Sequence, residues 1–454
     1  NYKNMSNQRF LEIACSNKSS DGKMSFRQGI SDLIFQIPEM NSTLIPSSIR
    51  IVGKLKVFKN QTAGGKGTVV AAADDINMDA RLGAWGCFQS LTTKSIKHQQ
   101  NIEHIRHYGH FLKSYLPLST SLDDNLGHLD EVALSLPNYN LNKISNVVRK
   151  TADEGFTGNS FCVGLPCGLF SGTRDIPLAG DMLSGLEIKL ALCPDSQVLY
   201  AVGGTIADND CYYEFSDLKL VCEVKDYSAV EMKQLSSQSG GSFTYQSVSS
   251  YYDTINSANA NVVFQLGLSK VRSAFATFIP STFLNSLSNN GYASLLPTNS
   301  NDAPTSGSLA DVKKVVWTKG GSLYPKMYEL NNNIRSSPST SVCDPVISRD
   351  YVNAVIPWVK NNATMISPMN NMRSWTAKND SVKQLPYTKI GTGLVWGLGV
   401  SYDSLGGQGE DFSTQQFGMN LELDLTSDNP VSTFVFVNSE QSIFFNQNGL
   451  RVVQ

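Results

Sequence analysis

The dominant pattern along the chain is an alternation of apolar and polar positions with a period of two, which predicts strands with one buried face. In the first half it runs through "RFLEIACS" (9–16), "SSIRIVGKLKVFK" (47–59), "AWGCFQSLTT" (84–93), "GLEIKLALC" (185–193) and "FSDLKLVCEVK" (215–225). Within "IRIVGKLKVF", Ile49, Ile51, Gly53, Leu55 and Val57 share the face predicted to be buried. Arg50, Lys54 and Lys56 share the other, with Val52 the exception. Strands resume at 242–252, 260–269, 271–280, 311–320, 386–400, 417–427, 431–440 and 442–453. Inside the last of these, "NQNG" (446–449) carries the Asn-Gly chemistry of a tight hairpin. Few helices are predicted: 99–116, a short one near 281–288, and "SRDYVNAVIPWVK" (348–360).

Between the two strand-rich stretches lies "DYSAVEMKQLSSQSGGSF" (226–243), a charged helical scrap followed by Ser and Gly. It divides the chain into a first block, 1–228, a linker, 229–242, and a second block, 243–454. No short repeat period appears, which argues against propellers and solenoids. Strands do not alternate regularly with helices, which argues against βαβ units. The expected fold class is therefore all-β: two tandem β-sandwiches with a few short helices.

Composition narrows the function classes. Charged residues make up 17% of the 454 positions and the formal net charge is −2, so no broad field draws the chain to nucleic acid or an anionic membrane. No apolar run approaches the ~20 residues of a membrane-spanning helix, and no signal-peptide pattern is visible. The eight cysteines are scattered, most of them in strand-like runs, and read as buried, reduced thiols. Cys162 and Cys167 lack a second pair at zinc-ribbon distance.

The candidate chemistry concentrates in "IEHIRHYGH" (102–110), where His104, His107 and His110 recur every third residue. Read as a helix, the segment has an apolar stripe of Ile102, Ile105, Tyr108, Leu112 and Tyr115. Its three histidines then spread over the remaining surface and rise about 9 Å, too far to close on one ion. Glu103 points elsewhere in that geometry. The expectation is no metal and no cofactor, with the three imidazoles on a polar face against solvent or another subunit; the sharper version is a subunit contact that they make pH-sensitive.

Other signatures fail. "TAGGKGTVV" (62–70) lacks the order of a phosphate-cradling loop, and no nucleophile elbow is present. Asp123–Asp124 and Glu410–Asp411 read as solvated turns rather than glycosidase carboxylates. The triplets starting at Asn60 and Asn362 carry little weight in so Asn- and Ser-rich a chain.

Several stretches in colinear order resemble the double jelly-roll major capsid proteins of eukaryotic DNA viruses, in particular the polinton-like virus, adintovirus and virophage branch. The stretch "IPSSIRIVGKLKVFKN" is similar to an early strand of that family. It is followed by "RLGAWGCFQSLTTKSIKHQQNIEHIRHYGHFLKSYL", similar to the family's strand and the helix directly after it. The stretch "GLPCGLFSGTRDIPLAGDMLSGLEIKLALC" resembles the passage that closes the first roll, and "YYEFSDLKLVCEV" its terminal strand. In the second half, "WTKGGSLYPKMYEL" with "DYVNAVIPW", and the closing "FGMNLELDL" and "STFVFVNSEQSIFFNQNGLRVV", resemble the corresponding elements of the second roll.

The resemblance implies two eight-stranded jelly rolls per chain and a structural, non-enzymatic role. Three copies would form a pseudo-hexagonal capsomer of an icosahedral shell, assembled inside the host cell and located in the virion. It further implies a penton protein and minor or cementing proteins as partners, with no sequence-specific nucleic acid and no membrane insertion. The rival reading is a carbohydrate-binding or adhesive tandem β-sandwich, for which the 17 Tyr, 21 Phe and 5 Trp would supply stacking platforms.

Overall fold

The computed structural model describes residues 7–17, 25–26, 32–59, 68–69, 76–79, 82–119, 158–172, 174–201, 211–238, 241–292, 311–324, 329–330, 354–355, 397–402, 409–424, 430–446 and 449–453. Eight principal strands form the first block: β1 (Asn7–Ala14), β2 (Leu33–Ile37), β3 (Arg50–Lys59), β4 (Phe88–Ser95), β5 (Asn101–Arg106), β6 (Asn159–Gly164), β7 (Leu186–Leu192) and β8 (Cys211–Asp226). The second block holds β9 (Ser242–Ile255), β10 (Asn259–Gln265), β11 (Val271–Pro280), β12 (Asp311–Lys319), β13 (Ser322–Leu323), β14 (Gly397–Ser401), β15 (Gln416–Asp424) and β16 (Val431–Asn446). A last strand, β17 (Gly449–Val453), folds back on β16. Two helices of note are α1 (Tyr108–Ser119) and α2 (Ala229–Gln238).

Pairing is antiparallel and follows one rule in both blocks. In the first, one sheet runs β1-β8-β3-β6 and the other β2-β7-β4-β5. In the second the orders are β9-β16-β11-β14 and β10-β15-β12-β13. In each block, then, the first strand pairs with the last, the second with the seventh, the third with the sixth and the fourth with the fifth. A long hairpin rolled up on itself produces this order, and it defines a jelly roll. The fold is all-β, two jelly rolls in tandem.

Local sequence explains the elements. In β3 the alternation holds as read: Ile51, Gly53, Leu55 and Val57 are buried, while Arg50, Lys54 and Lys56 are partly exposed. The bulge in β8 between Ser216 and Lys219 brings Leu218 onto Gly53, where a Cβ would lie 2.6 Å from its Cδ2. α2 starts at a capping box: the Ser228 hydroxyl and N–H donate to Glu231 (2.8 and 2.9 Å), and the Glu231 N–H donates back to Ser228 Oγ (3.3 Å). The Ser228 donors hold the Glu231 carboxyl below its ordinary range.

Four sequence expectations need correction. The segment 99–116 is not one helix but β5, a turn at His107 and α1. Residues 84–87 of the predicted strand 84–93 lie in a short 3-10 helix, Gly83–Cys87, ahead of β4. The predicted strands 431–440 and 442–453 are joined differently: β16 runs unbroken to Asn446, and the hairpin falls where Asn446 pairs with Gly449. Near 281–288 there is only a 3-10 turn, Ser281–Phe283. The predicted helix 348–360 and strand 386–400 lie largely outside the described residues. So do His128, Cys343, Asp123–Asp124, Asn60, Asn362 and most of the 62–70 loop. Among the described residues no helix is long and apolar enough to cross a membrane. The seven described cysteines form no disulfide, and six of them are buried.

The cores are joined. The larger apolar cluster fills the first roll and continues into the second through Phe243, Tyr245, Phe275, Tyr292, Phe434 and Phe436. A second cluster, with Ala274, Ala276, Val435 and Val437, fills the second roll. Neighbouring residues of β11 and β16 thus face opposite clusters, as period two requires. The β9-β16-β11-β14 sheet is consequently covered on both faces, by its own roll on one side and by the first roll on the other.

The junction between the rolls as candidate functional site

The strand β5 and helix α1 form the first roll's side of this contact. A register shift between Thr93 and Lys94 in the β4–β5 ladder leaves Ile102 as an extra residue, and Ile102 and Glu103 are both buried. Beyond the bulge, His104 and Arg106 face outward and Ile105 inward. His107 then turns the chain with φ of 54° and accepts the Phe111 N–H through its carbonyl (3.1 Å), opening α1. The spacing of Ile102, Ile105 and Tyr108 that imitates a helical stripe is therefore produced by a bulge and a turn.

Glu103 is the polar centre of the junction. It is 4% exposed, and its carboxylate accepts three backbone N–H groups. Oε1 takes those of Val248 (2.8 Å) and Gly168 (3.1 Å), and Oε2 takes that of Leu169 (3.0 Å). One acceptor thus ties β5 to the 165–170 loop of its own roll and to β9 of the other. Burial pushes this carboxyl up, against the pull of the three donors. Gly168 has no room for a side chain, since a Cβ there would lie 1.7 Å from the Gln246 carbonyl oxygen and 2.6 Å from Glu103 Oε1. Two further bonds cross beside it: Tyr245 Oη donates to the Ile102 carbonyl (2.7 Å) and the Arg106 N–H to Ser250 Oγ (2.7 Å).

A second contact comes from the segment after β11. Asn290 donates to Asp79 Oδ2 (2.8 Å), and Tyr292 inserts beside α1. The Tyr292 hydroxyl donates to the Gly86 carbonyl (2.5 Å) and meets Cys193 Sγ at 3.3 Å. Gly109 admits that ring, because a Cβ there would stand 2.7 Å from it. Burial pushes the Cys193 thiol up to about 12, so it packs as a neutral group.

The three histidines are separated by this geometry. His104 bonds Thr92 Oγ1 through Nδ1 (2.6 Å) and Arg106 through Nε2 (3.3 Å) on the outer side of β5. His107 is half-buried, with its ring 5.4 Å from Tyr252 and 4.7 Å from Phe434 of the second roll. His110 is 1% exposed and lies on Phe434 with centroids 3.9 Å apart and planes at 13°. The helical reading that put all three on one polar face does not hold, whereas Glu103 does point away from them, into the contact with Gly168, Leu169 and Val248. Among the described residues no group of three or more His, Cys, Asp or Glu side chains is placed to hold a metal ion. Sequence reasoning missed Asn290, Tyr292 and Phe434 altogether. Their signal was present only as an Asn-Gly-Tyr loop and a Phe in a strand.

The site is thus a structural joint, with apolar rings and the buried carboxylates of Glu103 and Asp79 locking roll to roll. No sequence-family model matches the chain, and no curated protein matches it. Solved structures do. The quasi-atomic model of the PBCV-1 virus capsid superposes with TM-score 0.53 at 11% identity, covering 100% of this chain and 98% of that one. PBCV-1 VP54, as fitted into a reconstruction of the virophage Sputnik, gives 0.52 at 11% identity over the same shares, 100% and 98%. The Sputnik virophage structure gives 0.52 at 10% identity, covering 98% of this chain and 88% of that one. At such identities the likeness concerns the fold, and the strand order and joined cores described above agree with it. This chain has the double jelly-roll fold of viral major capsid proteins.

Proposed function

We propose that the chain is the major capsid protein of an icosahedral virus and that it works as a homotrimer. The observation that carries this reading is the identical strand order of the two rolls. Two similar units held rigidly side by side give a trimer six similar units around its axis, so a threefold molecule fills a sixfold position in a closed shell. The covered β9-β16-β11-β14 sheet supports the rigidity this requires. A formal net charge of −2 suits a shell that encloses a genome without condensing it. Assembly then proceeds by symmetric burial of subunit faces in the host cell, with a penton protein and cementing proteins closing the lattice. Among the aromatic residues whose side-chain exposure is described, Phe10, Tyr252 and Phe444 are the exposed ones.

Light scattering on the eluting peak tests the stoichiometry. Three copies of 49.6 kDa give about 149 kDa (3 × 49.6), and that mass is expected. A stable 49.6 kDa monomer that binds glycans would favour the adhesive reading instead.

A further inference from the structure

The junction holds an imidazole in a setting that suits only its neutral form. His110 lies face to face on Phe434 and meets the Tyr292 ring at 5.0 Å. Neither of its ring nitrogens has a hydrogen-bond partner among the described residues. Among the described residues an imidazolium there has no acceptor to replace its hydration. The groups that act on it from α1 and the preceding turn are Lys113 and His107, and Arg106 acts on His107 in turn. All are cations or become so on protonation.

Across the contact, the second roll presents Phe434, Tyr252 and Tyr292, with the Cys193 thiol behind Tyr292. Asp253, next to Tyr252, accepts its neighbour Thr254's N–H. The buried carboxyls of the junction are Glu103, which is taken up by three backbone donors, and Asp79, which accepts from Asn290 and lies toward Tyr292.

We propose that this contact is an acid-sensitive latch. Protonation of His110, with His107 beside it, loosens α1 from the outer face of the second roll and frees the two rolls to shift against each other.

The direction follows from linkage. Burial, then the neighbouring cations, hold His107 down at about 4 and His110 well below its ordinary range. Both therefore take up a proton more readily once the contact has opened. The contact is intact above the ordinary histidine value of about 6.5 and weakens as pH falls below it. His107 contributes down to about pH 4, and His110, held well below its ordinary range by burial, acts in the same sense. Attraction of an imidazolium to the Phe434 face offsets part of this without supplying an acceptor. Glu103 titrates in the opposite sense: burial favours its neutral form in the closed contact, so acid alone does not weaken that end.

Hydrogen exchange of the full chain, corrected for the intrinsic pH effect, reads the latch. Between pH 7 and pH 5, protection in 108–116 and 431–437 is expected to fall about tenfold while that in 50–59 holds. The double variant His107→Phe, His110→Phe keeps the rings and is expected to abolish the fall; His110→Leu takes its place if that variant does not fold. Unchanged protection in the unaltered chain overturns the proposal, and so does an equal fall in the variant. Ring NMR supplies a readout free of any substitution. A His110 that titrates near 6.5 in the folded chain overturns the proposal, and one that stays neutral to about pH 5 upholds it.

Discussion

Replacing Glu103 by alanine is expected to destabilise the chain by about 4 kcal/mol or more, one of the two largest single effects the structure implies. The carboxylate satisfies the N–H groups of Gly168, Leu169 and Val248, all held in buried surroundings. Each donor left without a partner costs roughly 1–3 kcal/mol, and the methyl group of alanine reaches none of them. Glutamine separates shape from charge. Its amide oxygen retains one side of the arrangement, but its nitrogen must then face a backbone N–H, and a loss of about 2–3 kcal/mol is expected. Urea midpoints for the two variants check the order. A Glu103→Ala midpoint equal to that of the unaltered chain would show that the carboxylate does not hold the joint.

The second large effect is at Phe434. Its ring is buried and supports His107, His110 and Tyr252 together. Phe434→Ala removes the platform and opens a cavity in a well-packed contact, for an expected loss of about 3–5 kcal/mol. The neighbouring residue provides the control. Val435 points into the second roll's own core, so Val435→Ala is expected to cost about 1–3 kcal/mol and to leave the joint closed. Hydrogen exchange localises the difference: Phe434→Ala should expose 108–116, whereas Val435→Ala should not. Equal exposure in both variants would mean that the two faces of β16 are not energetically separate.

Much of this fold is legible in the sequence. The alternation in β3, β8 and β15 predicts strands because each has a single decisive buried face. The Asn-Gly of the closing hairpin also places the β16–β17 turn correctly. Reading fails where more than one rule acts at once. In 99–116, a bulge makes Ile102 and Glu103 point inward together, and the turn at His107 adds another offset, so a strand and a helix imitate a single helix. Along β16 both faces are buried, and the polar residues at 438–442 invite a break that cross-strand pairing with β9 does not allow. The junction was the least legible part. Glu103 finds its partners 65 and 145 positions away, and Tyr292 reaches Gly86 across 206. Contacts of that range leave no local periodicity to detect.

Trimeric assembly of paired rolls is the central claim, and negative-stain imaging of the purified chain tests it most directly. The account predicts particles with a pseudo-hexagonal outline and threefold symmetry, six lobes to a particle, at pH 7. A field of single two-lobed particles, unchanged on concentration, would contradict it.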